Sequence, residues 1–364
     1  MLLKYIDDFR DPAAAKALVD RIRRAAGDAP VRLMEVCGTH TVAIARGGIR
    51  PLLSGAVTML SGPGCPVCVT PDGYIDAAIA LGKDRGILLA SFGDMLRVPG
   101  KSSSLEREKG AGLEVRVVYS PLDAVTLAAA APDREVVFLG VGFETTAPAI
   151  GGAIRTAAGR GVKNFSVLAS LRTIPEAMGV LAADPEVRIE GFLCPAHVSV
   201  VIGADAYRPV TERYGIPCVI AGFEPLDILL GISMLLRQKK EGVARVENEY
   251  SRVARPSGNR KAQDLIRDVF VPCDTGWRGI GVIPSSGLRI ADRYAAFDAE
   301  KKFGYSVVYA PEGSACRCGD VLKGKILPAD CPLFGKGCVP EEPYGPCMVS
   351  GEGNCAAYYK YGGL

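Results

Sequence analysis

Short apolar runs, many of them β-branched, recur along the first 221 residues of this 364-residue chain, and stretches of helical spacing separate them. The runs cover 31–36, 57–60, 87–91, 115–119, 136–139, 165–169, 191–193 and 217–221. Amphipathic stretches at 73–81, 122–131, 148–160 and 175–183 lie between them. Such alternation predicts βαβ units, and so an α/β architecture on parallel sheets. A helix is predicted over 12–26, with Pro12 in its first turn after Asp11 and Gly27 as its stop. Gly-Phe-Glu follows a predicted strand twice, at 142–144 and 222–224, a faint sign of two similar halves.

Beyond about residue 237 the character changes. A charged helical stretch gives way to a Gly- and Pro-rich region from Pro256, and the last fifty residues hold six cysteines with little periodicity. A tail of that kind cannot build a conventional core alone, so a bound metal would have to organise it. Two α/β units and a cysteine-rich cap account for the length.

Forty-three basic against forty acidic residues leave a net charge of +3, which makes no case for nucleic acid. The basic run at 237–240 is interleaved with Glu241, Glu247 and Glu249 and reads as a solvated helix face. The first ten residues carry charges where a signal peptide would be apolar. The long apolar segment 219–236 is interrupted by Glu224, Pro225 and Asp227, so no membrane span is expected. A cytoplasmic location follows as the expectation. There, cysteines serve as metal ligands or redox groups more often than as staples.

The twelve cysteines fall in distinct stations, and the two histidines, His40 and His197, each sit three residues after one. Cys37-Gly-Thr-His40, Gly62-Pro-Gly-Cys65-Pro-Val-Cys68, the segment from Gly142 to Pro148, and Cys194-Pro-Ala-His197 each follow a predicted strand. Ligands of open α/β sheets bind outside the carboxyl ends of the strands, so these loops are expected at one cleft.

Cys65-Pro-Val-Cys68, read as the entry to a helix, would hold a reactive thiolate and store two electrons as a disulfide. Half of a zinc site, or inert buried thiols, are the alternatives. Cys37 before Gly38 suits a nucleophile or a metal ligand, with His40 as base, donor or second ligand; a small buried hydrophobe is the alternative. Glu144 stands as a cleft carboxylate, while Thr145 or Thr146 and Pro148 suit a helix start. Gly140 and Gly142 give an incomplete phosphate-binding pattern. In the tail, Cys316-x14-Cys331-x6-Cys338-x16-Cys355 lacks the paired spacing of zinc ribbons and suits an iron–sulfur cluster, with zinc or disulfides as alternatives. Cys318 and Cys347 are left over as a second dithiol.

Taken in order, Cys37-Gly-Thr-His-Thr41, Gly62-Pro-Gly-Cys65-Pro-Val-Cys68, Gly142-Phe-Glu-Thr-Thr-Ala-Pro148, Pro195-Ala-His-Val-Ser199 and the tail spacing resemble the HypD family of hydrogenase maturation proteins. The resemblance spans nearly the whole chain. It implies two parallel-sheet α/β domains, 12–122 and 123–227, and a [4Fe–4S] domain formed by 228–364 with residues 1–11. It implies that Cys37 ligates a transient Fe(CN)2(CO) iron, and that Cys65 and Cys68 form a redox dithiol beside it. Cys316, Cys331, Cys338 and Cys355 would hold the cluster, and Cys318 with Cys347 would pair next to it. His197 lies in the matching Pro-x-His-Val segment. The implied partners are a HypC-type chaperone, a HypE-type cyanide donor and, indirectly, the [NiFe]-hydrogenase large subunit. No role is assigned to Cys194, Cys218 or Cys273. A ferredoxin-linked disulfide reductase would explain the tail and Cys65/Cys68 but leave Cys37 idle. A zinc-stabilised binding module is the third reading.

Overall fold

The computed structural model describes residues 9–84, 87–309 and 315–362. Its strands are β1 (Val31–Glu35), β2 (Val57–Ser61), β3 (Ile87–Ser91), β4 (Val115–Val117), β5 (Glu135–Gly142), β6 (Phe165–Arg172), β7 (Gly191–Pro195), β8 (Cys218–Ala221), β9 (Val246–Asn248), β10 (Phe270–Trp277) and β11 (Gly281–Ile290). They form two sheets, ordered β2-β1-β7-β8-β9 and β10-β11-β6-β5-β3-β4. The first is parallel throughout. The second is parallel from β6 through β4 and carries an antiparallel hairpin, β10–β11, on β6.

The expected α/β class with parallel sheets is therefore present, but sheet membership does not follow a division at residue 122. Strands from residues 31–61 pair with strands from 191–248, while the second sheet takes 87–172 and 270–290. The segment after 228 gives β9 to one sheet and the hairpin to the other. Of the N-terminal residues expected to join it, 1–8 lie outside the described residues. The hairpin was hidden in sequence by Pro272, Gly276, Pro284 and Gly287. The strands tolerate them because β10 is an edge and β11 meets β6 only at Gly287 and Leu288, with a register shift between Cys273 and Thr275.

Both faces of the sheets are buried, as parallel strands require. In β1, Leu33 points to a core shared with Val19 and Ile22 of the helix Pro12–Ala26 and Ile228 and Ile232 of the helix Pro225–Glu241. Met34 points the other way, into a core that joins Phe192 and Ile220 to Leu89, Val137 and Leu168 of the second sheet. That core continues into the C-terminal segment through Cys318, Leu322, Cys347 and Met348. The first helix begins as its sequence predicts: Asp11 Oδ1 accepts from Ala13 N–H at 2.8 Å, and Gly27 ends it at φ 79°. The basic run at 237–240 faces solvent through ion pairs of Arg237 with Glu247 and Lys239 with Glu190, while Gln238 is buried. Among the described residues, no helix is long and apolar enough to cross a membrane.

Candidate thiol and metal centre

Register brings the motifs of the first sheet to one edge. Glu35 of β1 lies level with Ser61 of β2 and Leu193 of β7. The residues that follow, Cys37, Gly62 to Cys68 and His197, therefore leave the sheet together. Cys37 precedes the helix Gly38–Arg46 in extended conformation. Its N–H donates to Glu35 Oε2 at 2.9 Å, and Thr41 Oγ1 donates to Glu35 Oε1 at 2.5 Å. Gly38 N–H donates to Gly64 O at 2.9 Å. The two loops touch so closely that a Cβ on Gly64 would lie 2.1 Å from Cys37 N. From the far side, Glu352 covers Gly38 and accepts from Thr39 Oγ1 at 2.7 Å. Burial pushes the Cys37 thiol up to about 12, against the pull of the His40 N–H; Glu35 and Glu352 push it further. Cys37 is thus a protonated thiol at neutral pH.

His40 is fully buried and held down to about 4 by desolvation, so its imidazole is neutral. Its Nε2 lies 2.9 Å from Gly222 O and 3.1 Å from Ala221 O. Carbonyls only accept, which places the proton on Nε2 and leaves Nδ1 as a lone pair. That Nδ1 is buried and has no partner among the described residues. Of the roles expected for His40, base or ligand through Nδ1 fits this tautomer. Phe223 fills the space between the histidines, its ring 4.8 Å from His40 and 4.2 Å from the exposed His197.

Cys65 and Cys68 are almost fully buried. They do not enter a helix; residues 66–69 form a turn, and the next helix starts at Asp72. The expected helix dipole is replaced by one N–H, from Cys68 to Cys65 Sγ at 3.3 Å. Burial pushes the Cys68 thiol well above its ordinary value, and Cys68 contacts both Cys65 and Cys347. Cys347 in turn contacts Cys318, and Cys318 contacts Cys316. Thiols therefore run side by side from Cys65 through Cys68, Cys347 and Cys318 to Cys316. All twelve are unbridged.

Cys316, Cys318, Cys331, Cys338, Cys347 and Cys355 line one apolar cavity with Val321, Leu333, Phe334 and Met348. Burial raises Cys355, and Cys316, Cys338 and Cys331 each push it the same way across that space. Among the described residues, no three His, Cys, Asp or Glu side chains converge closely enough to hold a single metal ion. Six cysteines around one cavity offer sulfur donors that would suit either a four-iron cluster or zinc.

Glu144 follows β5 of the second sheet and lies near Tyr207, whose hydroxyl meets Ser199 of the segment 195–199 at 3.0 Å. It is 3% exposed, its Oε1 accepts from Ile174 N–H at 2.9 Å, and its Oε2 has no partner among the described residues. Thr146 precedes the helix Ala147–Arg160 without capping it through its side chain. A Cβ on Gly142 would strike Thr146 at 2.4 Å, and one on Gly140 would strike Val167 at 2.7 Å, so these glycines serve packing rather than a phosphate. Burial raises the Glu144 carboxyl from 4.5 to about 8. Between those values the unfolded chain ionises and the folded one does not, so stability falls as pH rises from 4.5 to 8. Glu144→Gln is expected to stabilise the protein by about 2–4 kcal/mol at pH 9 and negligibly at pH 4, since a full shift of this size caps the effect at ~5 kcal/mol. Urea titrations of both proteins at the two pH values check this; an equal difference at both would refute it.

Sequence reading missed Glu35, Phe223, Glu352 and Asn354. Only Glu35, two residues before Cys37, and Asn354, beside Cys355, carried a positional hint.

The α/β scaffold brings the Cys37 and Cys65/Cys68 loops to one end of its first sheet, and the C-terminal cysteines pack against Cys68. The family model described as "HypD: Hydrogenase formation hypA family" matches residues 13–362. The chain is 48% identical over 368 residues to the hydrogenase maturation factor HypD of Azotobacter vinelandii, covering 99% of this chain and 97% of that one. It is 47% identical over 374 residues to HypD of Rhodobacter capsulatus, with 99% of each covered, and 44% over 366 residues to HypD of Escherichia coli K12, with 99% and 98% covered. The chain belongs to the HypD family, and its role lies in hydrogenase maturation.

Proposed function

We propose that this protein is the redox scaffold on which the Fe(CN)2(CO) unit of [NiFe]-hydrogenase is assembled. A HypC-type chaperone shares the iron, a HypE-type protein delivers cyanide, and the finished unit passes to the hydrogenase large subunit. The observation that carries the reading is the unbroken run of thiols from Cys316 to Cys65, ending on the loop that touches Cys37. Soft thiolate from Cys37 suits an iron bearing cyanide and carbonyl.

Cyanide carried as a protein thiocyanate leaves as CN⁻ only when the S–C bond takes up two electrons, with a thiol left behind on the carrier. Cys65 and Cys68 supply those electrons by closing to a disulfide and releasing two protons. Cys347 thiolate then attacks Cys68, and Cys318 attacks Cys347, so the disulfide moves to Cys318–Cys347 and the first pair is again reduced. Cys316, Cys331, Cys338 and Cys355 would hold a [4Fe–4S] cluster, which would supply one-electron chemistry beside that second pair from an external one-electron donor. The reductase alternative accounts for the two dithiols but leaves Cys37, and the contact of its loop with Gly64, without a use.

The test is an infrared and visible spectrum of anaerobic protein co-expressed with its chaperone. Absorbance near roughly 400 nm with cyanide and carbonyl stretching bands is the expected result. Cys37→Ala is expected to keep the absorbance and lose the bands; bands of normal intensity in that variant would remove Cys37 as the iron ligand.

A further inference from the structure

The C-terminal helix Asn354–Tyr361 carries Cys355 and packs on the helix that follows Cys37. Its first residue is a buried amide at the meeting point of the three thiol stations. Asn354, 2% exposed, donates from Nδ2 to Ser61 O at 3.1 Å, at the end of the strand that leads to Gly62 and Cys65. Its Oδ1 lies 3.4 Å from Thr41 Oγ1, which donates to Glu35 Oε1, the carboxylate that also holds Cys37 N–H. Covalently, Asn354 adjoins Cys355. Arg50 closes the group on the other side, donating to Ser61 Oγ at 2.6 Å and lying over the Tyr358 ring at 4.6 Å. The same terminal segment supplies Glu352, which covers Gly38.

We infer that Asn354 is a positioning residue that couples the cluster domain to Cys37, so that the Cys37 loop is held in its closed form only when the cysteine-rich segment is assembled around its cluster. The inference rests on the cluster reading above. Its physical basis is that a buried amide holds its partners only while its own backbone is fixed. The helix Asn354–Tyr361 packs on Gly38–Arg46 and on the short helices that carry the other cysteines, and Cys355 would tie it to the cluster as well, so release of Cys355 would shift Asn354. Ser61 O then loses its donor, and the Oδ1 packed beside Thr41 Oγ1 moves away with it. The cell thereby avoids loading iron on a scaffold that has no electron supply.

The readout is Cys37 itself. Alkylation by iodoacetamide, resolved by peptide mass spectrometry, is followed in the cluster-loaded protein and after chelation of its iron. In wild type, cluster loss is expected to speed Cys37 alkylation about fivefold, the factor that one buried hydrogen bond carries. In Asn354→Ala with its cluster in place, Cys37 is expected to react at the fast rate already, with little further change on chelation. Hydrogen exchange of the amides in 41–46 is expected to follow the same pattern. If Asn354→Ala does not take up a cluster, Asn354→Asp keeps the side chain's size and removes the Nδ2 donor to Ser61 O; the same loss of cluster sensitivity is expected. An iron-loaded wild type whose Cys37 rate ignores chelation overturns the coupling but leaves the scaffold reading in place. A variant that keeps the wild-type response also overturns it. Wild type that binds no iron at all overturns both.

Discussion

Protein carrying Cys65→Ser or Cys68→Ser is expected to keep its visible absorbance and its iron, yet to show no cyanide bands above background. Serine preserves the size of the side chain and its weak hydrogen bonding, so the turn at 66–69 stays folded. What is lost is the ability to hold two electrons as a disulfide. Since reductive release of cyanide consumes two electrons per ligand, a scaffold with one thiol in this pair has no stoichiometric donor next to Cys37. The two substitutions are expected to be equally severe and not additive, because each removes the same function. Cys318→Ser is expected to differ in kind. It leaves Cys65 and Cys68 able to donate once, so a single turnover survives and repeated turnover stops. Single-turnover and steady-state loading, followed by infrared bands, separate these cases. Normal loading in Cys65→Ser would end the relay scheme.

The sequence was most legible where one face or one end of an element is enough to specify it. The helix Pro12–Ala26 carries its own start and stop in Asp11, Pro12 and Gly27. The parallel strands carry apolar residues on both faces, and no other element packs such runs so economically. Convergence of the Cys37, Cys65 and His197 loops was legible for the same reason, since it depends only on the direction in which parallel strands run. Sheet membership was not legible. Every strand here has the same apolar signature, so nothing in 31–61 states that its partner lies at 191–248 rather than at 87–142. The antiparallel hairpin was hidden because Pro272, Gly276, Pro284 and Gly287 break the apolar run that marks a strand, and its edge position and brief contact with β6 tolerate them. Asn354 and Glu352 were hidden for a related reason. A polar residue that joins distant segments carries no periodicity, and its role exists only once the tail folds back on β1 and β2.

Gly64→Ala is expected to be the most damaging small substitution in the chain outside the cysteines. The added Cβ would lie 2.1 Å from Cys37 N, 2.3 Å from Cys37 Cα and 2.4 Å from Val36 C. All three atoms are backbone, held by the β1–β2 register and by Cys37 N–H on Glu35, so no rotamer change relieves the overlap. The loops must separate, and the bond from Gly38 N–H to Gly64 O goes with them. A cost of about 3 kcal/mol or more follows, at the upper end for overpacking. Gly159→Ala is the control. Nothing lies within 4 Å of its Cβ position, in the helix Ala147–Arg160, so it should be neutral or stabilise by up to ~1 kcal/mol. Denaturant midpoints measure the difference, and iron retention in the presence of the chaperone measures its consequence. Gly64 meets Cys37 through backbone, so a misfit of one methyl group moves the Cys37 loop off the loop that carries Cys65 and Cys68, and under the proposed function parts the iron ligand from its dithiol. A Gly64→Ala protein as stable and as well loaded as Gly159→Ala would mean that this contact is not where the cargo is built.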